Sequence, residues 1–263
     1  HTEMMDAVRM ATQEIGGTLT VLSAAGLSLP VFSKMVGDAG LDAAVLIGPA
    51  RSEEMRRALA LNIPSVMIDD VVRGRRVDSI LLDNEGGGYQ AVEHLVGLGH
   101  RRLAFITCPL AWKVCQDRMA GAHAAMIEAG LSPSDVVVVE SDFTSAGGYE
   151  AMKKALAHRP LPTGYFLFND EMAFGAFQAV HEHSNLRIPE DISLVGFDDI
   201  VWAAMTVPPL TTVHVEKALM GREAVLRIRK IMDDRNHVPL TTVLPTRLEI
   251  RKSAGPAPSL PET

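Results

Sequence analysis

The feature that most constrains this chain is a regular alternation of strand-like and helix-like segments along nearly its whole length. Each short apolar segment with strand character is followed by a helical pattern of apolar residues or by a crossing loop. The clearest strand segments are Ala43–Ile47, Ser65–Ile68, Leu103–Thr107, Tyr165–Phe168 and Ser193–Gly196. Repeated units of this kind produce parallel sheets, because a crossover must return the chain to the start of the next strand. The sequence therefore predicts an α/β fold.

The number of strand segments also bears on the number of sheets. An opening helix with apolar positions from Met4 to Ile15 precedes a predicted strand at Thr18–Leu22, and the last predicted strand is Thr246–Ile250. Because roughly ten strands is near the practical limit for one open twisted sheet, we expect two Rossmann-like lobes with parallel sheets. The final segment, 255–263, is predicted to be a disordered tail.

Composition excludes several classes of protein. The 263 residues are 47% hydrophobic, which is enough for a core, and the formal net charge of -7 argues against a surface built to neutralise phosphates. No apolar segment approaches the ~20 residues of a membrane span. The only cysteines, Cys108 and Cys115, are too few for a disulfide framework. We interpret them as packing residues in a reducing compartment, and expect a cytoplasmic protein.

Polar and aromatic residues follow successive predicted strands from Leu103 onwards. They are Arg118, Phe143, Asn169 and Asp198. The carboxyl ends of parallel strands share one edge, where open α/β sheets bind ligands. A cation, an aromatic ring, an amide and an anion at one edge suit a polyhydroxylated ligand. Taken singly, Asn169 is explained as a helix N-cap, and core packing explains Phe143 equally well.

Other patterns favour structural explanations. The triplet Gly86–Gly88 could hold a phosphate at a helix start, but it lacks the full nucleotide-binding motifs, so close packing is the favoured interpretation. His181 and His183 are two residues apart on a helix, whereas a helical metal pair needs a spacing of three or four. No Ser, Cys or paired-carboxylate arrangement typical of catalysis is present in the sequence. We therefore predict no enzyme activity, no metal and no cofactor.

Five stretches of the chain resemble the lactose/galactose repressor (LacI/GalR) family of bacterial transcription regulators. In chain order they are AVEHLVGLGHRRLAFI at Ala91–Ile106, RMAG at Arg118–Gly121, NDEMAFGA at Asn169–Ala176, IPEDISLVGFDDI at Ile188–Ile200 and PPLTTV at Pro208–Val213. Each stretch alone is modest evidence. Their ordered occurrence over more than half of the chain makes the resemblance specific.

The resemblance implies a two-lobed effector-binding and dimerisation core, similar in fold to type I periplasmic sugar-binding proteins. The chain would cross between lobes three times, near Leu82-Asp83, Val213-His214 and Leu244–Arg247. The implied lobes are 1–82 with 214–243 and 83–213 with 244–254. The family's ligand contacts correspond to Arg118, Phe143, Asn169 and Asp198, with Asp69 as a further contact from the other lobe.

The chain also departs from the family pattern. Family members carry an N-terminal helix-turn-helix, a hinge helix and a first strand, whereas this sequence begins at the helix after that strand. Operator DNA would therefore be bound only through a domain outside this sequence, and the first lobe would lack one central strand. Val215 stands where many members have a glutamine, so one polar ligand contact is not expected.

The leading hypothesis is an effector-sensing core that binds a sugar or related metabolite between two lobes, acts as a homodimer and controls DNA binding allosterically. The alternative is a sugar-binding protein of a transporter, which shares the implied fold. A sugar-modifying enzyme is disfavoured because the sequence lacks a catalytic constellation.

Overall fold

The computed structural model describes residues 2–23, 28–48, 52–60, 63–72, 77–234 and 236–258. The chain divides into two compact units, His1–Leu82 with Glu216–Leu244 and Asp83–Val215 with Pro245–Thr263. It therefore passes from one unit to the other after Leu82, Val215 and Leu244. Within the described ranges, none of the helices combines the length and apolarity that crossing a bilayer would require.

The first unit is a four-stranded parallel sheet with helices. Its strands are β1 (Ala44–Ile47), β2 (Ser65–Ile68), β3 (Asp78–Leu82) and β9 (Thr241–Leu244), hydrogen-bonded in that order. Its helices are α1 (Thr2–Glu14), α2 (Leu29–Asp38), α3 (Glu53–Leu59) and α8 (Lys217–Asp233). Val8 and Ala11 of α1 form a buried cluster with Val225 of α8, so the first and last helices of this unit stabilise each other.

The second unit contains a six-stranded sheet in the order β10-β8-β7-β6-β4-β5, in which only β10 is antiparallel to its neighbour. The strands are β4 (Leu103–Thr107), β5 (Val137–Glu140), β6 (Gly164–Leu167), β7 (Ser193–Asp198), β8 (Thr211–Val215) and β10 (Thr246–Glu249). The helices are α4 (Asn84–Gly97), α5 (Lys113–Glu128), α6 (Ser145–Leu156) and α7 (Asp170–His183), and short 3-10 helices span Pro133–Asp135 and Val201–Met205. This is the α/β architecture predicted from the alternation.

Strand β4 shows why the central strands could be found from sequence. All five of its residues, Leu103–Thr107, are buried, because parallel strands are covered on both faces and consist of continuous apolar residues. The helical segments have equally clear ends. Asp83 caps α4 by accepting a hydrogen bond from the Gly86 N–H at 2.8 Å, and Gly99, with φ 93°, lies beyond its last turn.

One predicted strand is absent from the structure, and one strand of the structure was not predicted. Thr18–Leu22 is not a strand. In the described part of the chain β1 has no neighbour on its outer side, so this segment has no strand with which to pair; Leu19 instead packs against the Val8 cluster. Conversely, β9 was not predicted, because its residues are mostly exposed or half-buried and begin with two threonines. β9 is a strand because it forms a parallel ladder of hydrogen bonds with β3, and its local sequence does not indicate this pairing.

The prediction of a disordered tail over 255–263 is wrong for residues 255–258. The Gly255 N–H donates to Ser193 Oγ at 3.0 Å, and the Ala257 N–H donates to the Leu98 carbonyl at 2.8 Å. The Gly255 carbonyl lies 3.1 Å from Nε2 of the buried His100. Buried polar partners thus order a segment whose composition suggested disorder. Residues 259–263 lie outside the described residues.

The interpretation of the cysteines as packing residues is incomplete. Cys108 and Cys115 are fully buried, but they are also joined as a disulfide, with their Cα atoms 6.0 Å apart. Cys108 immediately follows β4 and Cys115 lies in the first turn of α5. The strand-to-helix turn brings the two residues together, which their sequence spacing alone did not indicate.

Candidate functional site

Side chains from four segments lie along one edge of the second unit's sheet. Arg118 lies in α5 after β4, Phe143 follows β5, Asn169 follows β6 and Asp198 ends β7. These strands are parallel neighbours in the order β7, β6, β4, β5. The connections from the adjacent strands β4 and β6 leave in opposite directions, from β4 towards β5 and from β6 towards β7, and such a switch point is where open α/β sheets bind ligands. Asp69, the fifth predicted residue, follows β2 in the first unit.

Arg118 is the central side chain of this edge and is only 3% exposed. Its Nε donates to Asn84 Oδ1 at 2.9 Å, and Nη1 donates to the Phe168 carbonyl. Nη2 lies 3.6 Å from Asp198 Oδ1, and the guanidinium lies 3.6 Å above the centroid of the Phe197 ring. The arginine is thus fixed by three elements, whereas the Asp198 side chain is 30% exposed and can accept hydrogen bonds from a ligand.

The glycine triplet at the start of α4 makes this arrangement possible. A Cβ at Gly87 would lie 2.6 Å from the Phe197 ring, and a Cβ at Gly88 would lie 2.2 Å from the Arg118 carbonyl. Neither approach leaves room for a side chain. The packing interpretation of the triplet is confirmed at these two glycines, and its effect is to place the start of α4 against Arg118 and Phe197.

Asn169 connects the loop after β5 to the start of α7. Its Oδ1 accepts the Met172 N–H at 2.8 Å, which confirms the N-cap interpretation. Its Nδ2 also donates to the Phe143 carbonyl at 3.0 Å. The Phe143 ring stacks on Trp112, with 5.3 Å between centroids and 27° between planes. Asn169 therefore positions Phe143, and one N–H of its amide is not used by either bond.

Backbone strain coincides with the predicted site residues. Among the described non-glycine residues, φ is positive only at Asp69 (63°), Phe143 (67°), Asp198 (105°) and Asp199 (48°). Such conformations cost about 1–3 kcal/mol each and concentrate at functional sites. Three of the four residues were predicted to contact a ligand, and the backbone geometry is independent of the sequence argument that selected them.

A second carboxylate lies beneath the edge. Asp170 is fully buried, 2.6 Å from Thr212 Oγ1, and accepts the Ile200 N–H at 2.9 Å. Burial, followed by the negative charge of Asp198, raises the pKa of Asp170 to about 8. A carboxyl group that holds its proton near neutral pH adds less negative charge beside Asp198, so the field at the edge depends on its protonation.

Asp199, the residue after Asp198, is held differently. Burial alone would raise its pKa, but hydrogen bonds from His214 at 2.8 Å and Arg251 at 2.6 Å outweigh burial, and the pKa is lowered. These bonds fix the strained backbone that presents Asp198. Around the edge and elsewhere in the described ranges, no group of three His, Cys, Asp or Glu side chains is arranged to hold a metal ion.

Replacing Asp170 by asparagine should change how stability depends on pH. The folded protein binds this proton more tightly than the unfolded chain does, because the pKa rises from 3.8 to about 8. The wild type should therefore lose stability from this group as pH rises through that window, by at most about 1.4 kcal/mol per pH unit. An asparagine side chain does not titrate, so Asp170→Asn should gain stability relative to the wild type as pH rises towards 8. Urea unfolding at several pH values measures the difference in unfolding free energy between Asp170→Asn and the wild type. A difference that does not change with pH would contradict a pKa of Asp170 raised by burial.

Three residues of the edge were missed by sequence reasoning. Trp112 and Asn84 lie in the connections that follow predicted strands, and that position was an available signal. Phe197 directly follows the predicted strand Ser193–Gly196, and nothing in its local sequence indicates that its ring lies under a guanidinium. Its role depends on the close approach of α4, which only the folded unit shows.

Two α/β units, one with a parallel sheet and one with a sheet that is parallel except for β10, and a polar and aromatic edge at a switch point define a protein of the periplasmic-binding-protein class. A family model described as periplasmic binding protein-like domain matches residues 92–254. The transcriptional repressor PurR of Aliivibrio salmonicida is 30% identical over 239 residues, covering 89% of this chain and 72% of the repressor. The PurR of Aliivibrio fischeri strain ES114 is 34% identical over 210 residues, and the match spans 78% of this chain and 62% of that repressor.

Solved structures agree with these relatives. The transcriptional regulator CelR in complex with cellobiose superposes with a TM-score of 0.85 and 27% identity, covering 96% of this chain and 78% of CelR. A dimeric Lac repressor with a C-terminal deletion superposes with a TM-score of 0.84 and 25% identity, covering 98% of this chain and 94% of that repressor. The chain belongs to the LacI/GalR family of transcription regulators and comprises its effector-binding core. Its relatives are repressors rather than enzymes, and the transporter alternative is not favoured.

Proposed function

We propose that this core senses a sugar or related small metabolite, bound at the carboxyl edge of the second unit's sheet. The observation that carries the proposal is the arrangement of Arg118, Phe143, Asn169 and Asp198 at one edge of the sheet, in or directly after four neighbouring strands or in the helix that follows one of them. Asp69 is proposed as a further contact, on the strength of its strand-end position and its left-handed backbone.

The chemistry of the edge favours a ligand that has hydroxyl groups and an apolar face. The partly exposed Asp198 carboxylate can accept hydrogen bonds from hydroxyls, and the remaining Asn169 N–H can donate one. The Phe143 ring can stack on the C–H face of a sugar ring. The cellobiose complex of CelR supports a sugar, and it leaves the particular effector of this chain to experiment.

In the proposed regulator, the bound effector controls DNA binding by a helix-turn-helix domain attached to this core. A ligand shifts a conformational equilibrium only by its differential affinity for the two states. The fixed Arg118 and the strained Phe143 and Asp198 provide groups whose positions a ligand can favour or disfavour. Effector and operator affinities would then be linked reciprocally.

A thermal-shift screen tests the proposal. The panel contains ribose, cellobiose, sugar phosphates and nucleosides. A ligand at about 100 times its Kd stabilises by about 2.7 kcal/mol, which raises Tm by about 5–10 °C in a protein of this size. The shift should be lost in Phe143→Ala. A ligand that shifts wild type and variant equally would show that binding occurs elsewhere, and a nucleoside hit would overturn the preference for a sugar.

We further propose that the core is a homodimer that uses the apolar residues around the 3-10 helix Val201–Met205. Val201, Trp202, Met205 and Val207 are 66%, 62%, 63% and 91% exposed. Neighbouring exposed apolar side chains of this size typically mark an interaction surface. The dimeric Lac repressor supports a second copy of the chain as the partner.

Trp202→Glu should convert the dimer to a monomer, because a carboxylate would be buried in an apolar interface. Sedimentation velocity at micromolar concentration measures the change. Ile127, an apolar residue of α5 that is 62% exposed, gives the matched control, and Ile127→Glu should remain dimeric. A Trp202→Glu protein that sediments like wild type would contradict the assignment of this surface.

A further inference from the structure

A short segment of the second unit, residues 198–205, joins the candidate effector site to the proposed dimer surface. It begins at Asp198, at the carboxyl end of β7, and ends with the 3-10 helix Val201–Met205. Only Asp199 and Ile200 separate Asp198 from that helix. A change of backbone conformation at Asp198 would therefore be transmitted to the exposed apolar residues of the helix through a very short connection.

Asp170 holds the middle of this segment from inside the unit. It is the first residue of α7 and is fully buried. Its Oδ2 accepts the Ile200 N–H at 2.9 Å, and its Oδ1 lies 2.6 Å from Thr212 Oγ1 of β8. The Ile200 carbonyl accepts the Ala203 N–H at 2.8 Å. The carboxyl group thus connects α7 and β8 to Ile200, which is the N-cap residue of the 3-10 helix.

Strand β7 leaves space for this carboxyl group. A Cβ at Gly196 would lie 2.3 Å from Asp170 Oδ1, so a side chain at that position would displace the acid. Burial raises the pKa of Asp170 to about 8, and the group is therefore mainly neutral near pH 7. A buried acid is costly unless its oxygens are hydrogen-bonded. Both oxygens have a partner, and one of the two partners is the segment itself.

The conformation of the segment is strained where it leaves the site. φ is 105° at Asp198 and 48° at Asp199, and residues other than glycine adopt such values at a cost. The bond from Ile200 to Asp170 favours this conformation. A ligand hydroxyl on Asp198 and a second subunit on the 3-10 helix would each favour it too. Ligands that favour the same costly conformation strengthen each other's binding.

We propose that Asp170 is a positioning residue that couples effector binding to dimerisation. By holding Ile200 it makes residues 198–205 respond as one piece, so that an effector on Asp198 strengthens the dimer. This inference rests on the proposed effector site and the proposed dimer surface. Because linkage is reciprocal, the dimer should bind the effector about fivefold more tightly at each site than the monomer does.

The first experiment needs no effector. Sedimentation velocity over a concentration series measures the dissociation constant of the dimer. Asp170→Ala should raise it about fivefold, because Ile200 loses its acceptor. Asp170→Asn keeps an oxygen for Ile200 and an N–H for Thr212, so it should match the wild type. Glu171→Ala, an exposed acid in the same helical turn, is the matched control. Equal constants for Asp170→Ala and the wild type would overturn the positioning role.

The second experiment measures affinity by calorimetry for the panel member that binds, ribose or cellobiose for example. The wild-type dimer should bind it about fivefold more tightly than monomeric Trp202→Glu, and the dimeric Ile127→Glu should match the wild type. With Asp170→Ala in both proteins, the first at a concentration where it is dimeric, the difference should fall below about twofold. Simple destabilisation would leave the difference between dimer and monomer in place.

The outcomes separate this inference from the proposals beneath it. Equal affinity in dimer and monomer overturns the coupling and leaves the effector site intact. Absence of binding by every panel member counts against the effector site and removes the coupling with it, and a Trp202→Glu protein that stays dimeric does the same for the dimer surface. If Asp170→Ala does not fold, Thr212→Val, which frees one oxygen of the carboxyl group, replaces it. An affinity difference as large as in the wild type would then overturn the role of Asp170.

Discussion

Gly121→Ala should destabilise the second unit by more than about 3 kcal/mol. A Cβ at Gly121 would lie 1.8 Å from the Glu85 carbonyl oxygen and 2.7 Å from the Tyr89 nitrogen. Both are backbone atoms of α4, whereas Gly121 lies in α5. The clash therefore cannot be relieved by rotating a side chain, and α4 and α5 must separate. Overpacking of this kind typically costs about 1–3 kcal/mol, and more when backbone must move.

Gly97→Ala is the matched control, since nothing lies within 4 Å of a Cβ built at Gly97, the last residue of the partner helix α4. Alanine there should be neutral or stabilising by about a few tenths of a kcal/mol. Urea unfolding followed by circular dichroism compares the variants. Equal unfolding midpoints for Gly121→Ala and Gly97→Ala would show that the contact between α4 and α5 is not as close as described.

The second large effect is expected at Arg118. Arg118→Ala should lower the free energy of unfolding by about 3–5 kcal/mol, because it removes the buried cation that Asn84, the Phe168 carbonyl and Asp198 share as a donor. The same change should abolish effector binding, since Asp198 loses the group that holds it.

Arg187→Ala serves as the control for Arg118. Its side chain is 69% exposed and pairs with Asp191 at 2.9 Å on the surface of the same unit, so its loss should cost about 1 kcal/mol or less. Denaturant unfolding measures both variants. If Arg118→Ala lowered the free energy of unfolding as little as Arg187→Ala does, the buried contacts of Arg118 would contribute little to the stability of this edge of the sheet.

The central strands could be predicted well because burial on both faces leaves a pattern in the residues themselves. β2 and β4 have the bounds that their apolar segments indicate. The strand predictions fail where pairing with a neighbouring strand, rather than the local sequence, decides whether a segment is a strand. β9 is a strand because β3 lies beside it, and Thr18–Leu22 is not a strand because no described strand lies beside it. Residues 255–258 are ordered by side chains that lie far away in the sequence.

The candidate site could be predicted to the level of strand-end residues, since the carboxyl edge of a parallel sheet is a consequence of the fold class. The roles within it could not. No pattern of residues indicates that Arg118 is fixed by Asn84 and Phe197, or that Asn169 holds the Phe143 loop. These contacts depend on how closely α4 approaches α5 and on left-handed backbone at Phe143, which only the folded unit reveals.

The central claim, that this edge binds the effector, is tested most directly by calorimetric titration of the ligand found in the thermal-shift screen. Wild type, Asp198→Asn and a control, Glu150→Gln on the exposed surface of α6, should be compared. Loss of charge on the accepting group costs about 1.5–3 kcal/mol, so Asp198→Asn should bind at least about tenfold more weakly, whereas the control should match the wild type. Unchanged affinity in Asp198→Asn would contradict the assignment.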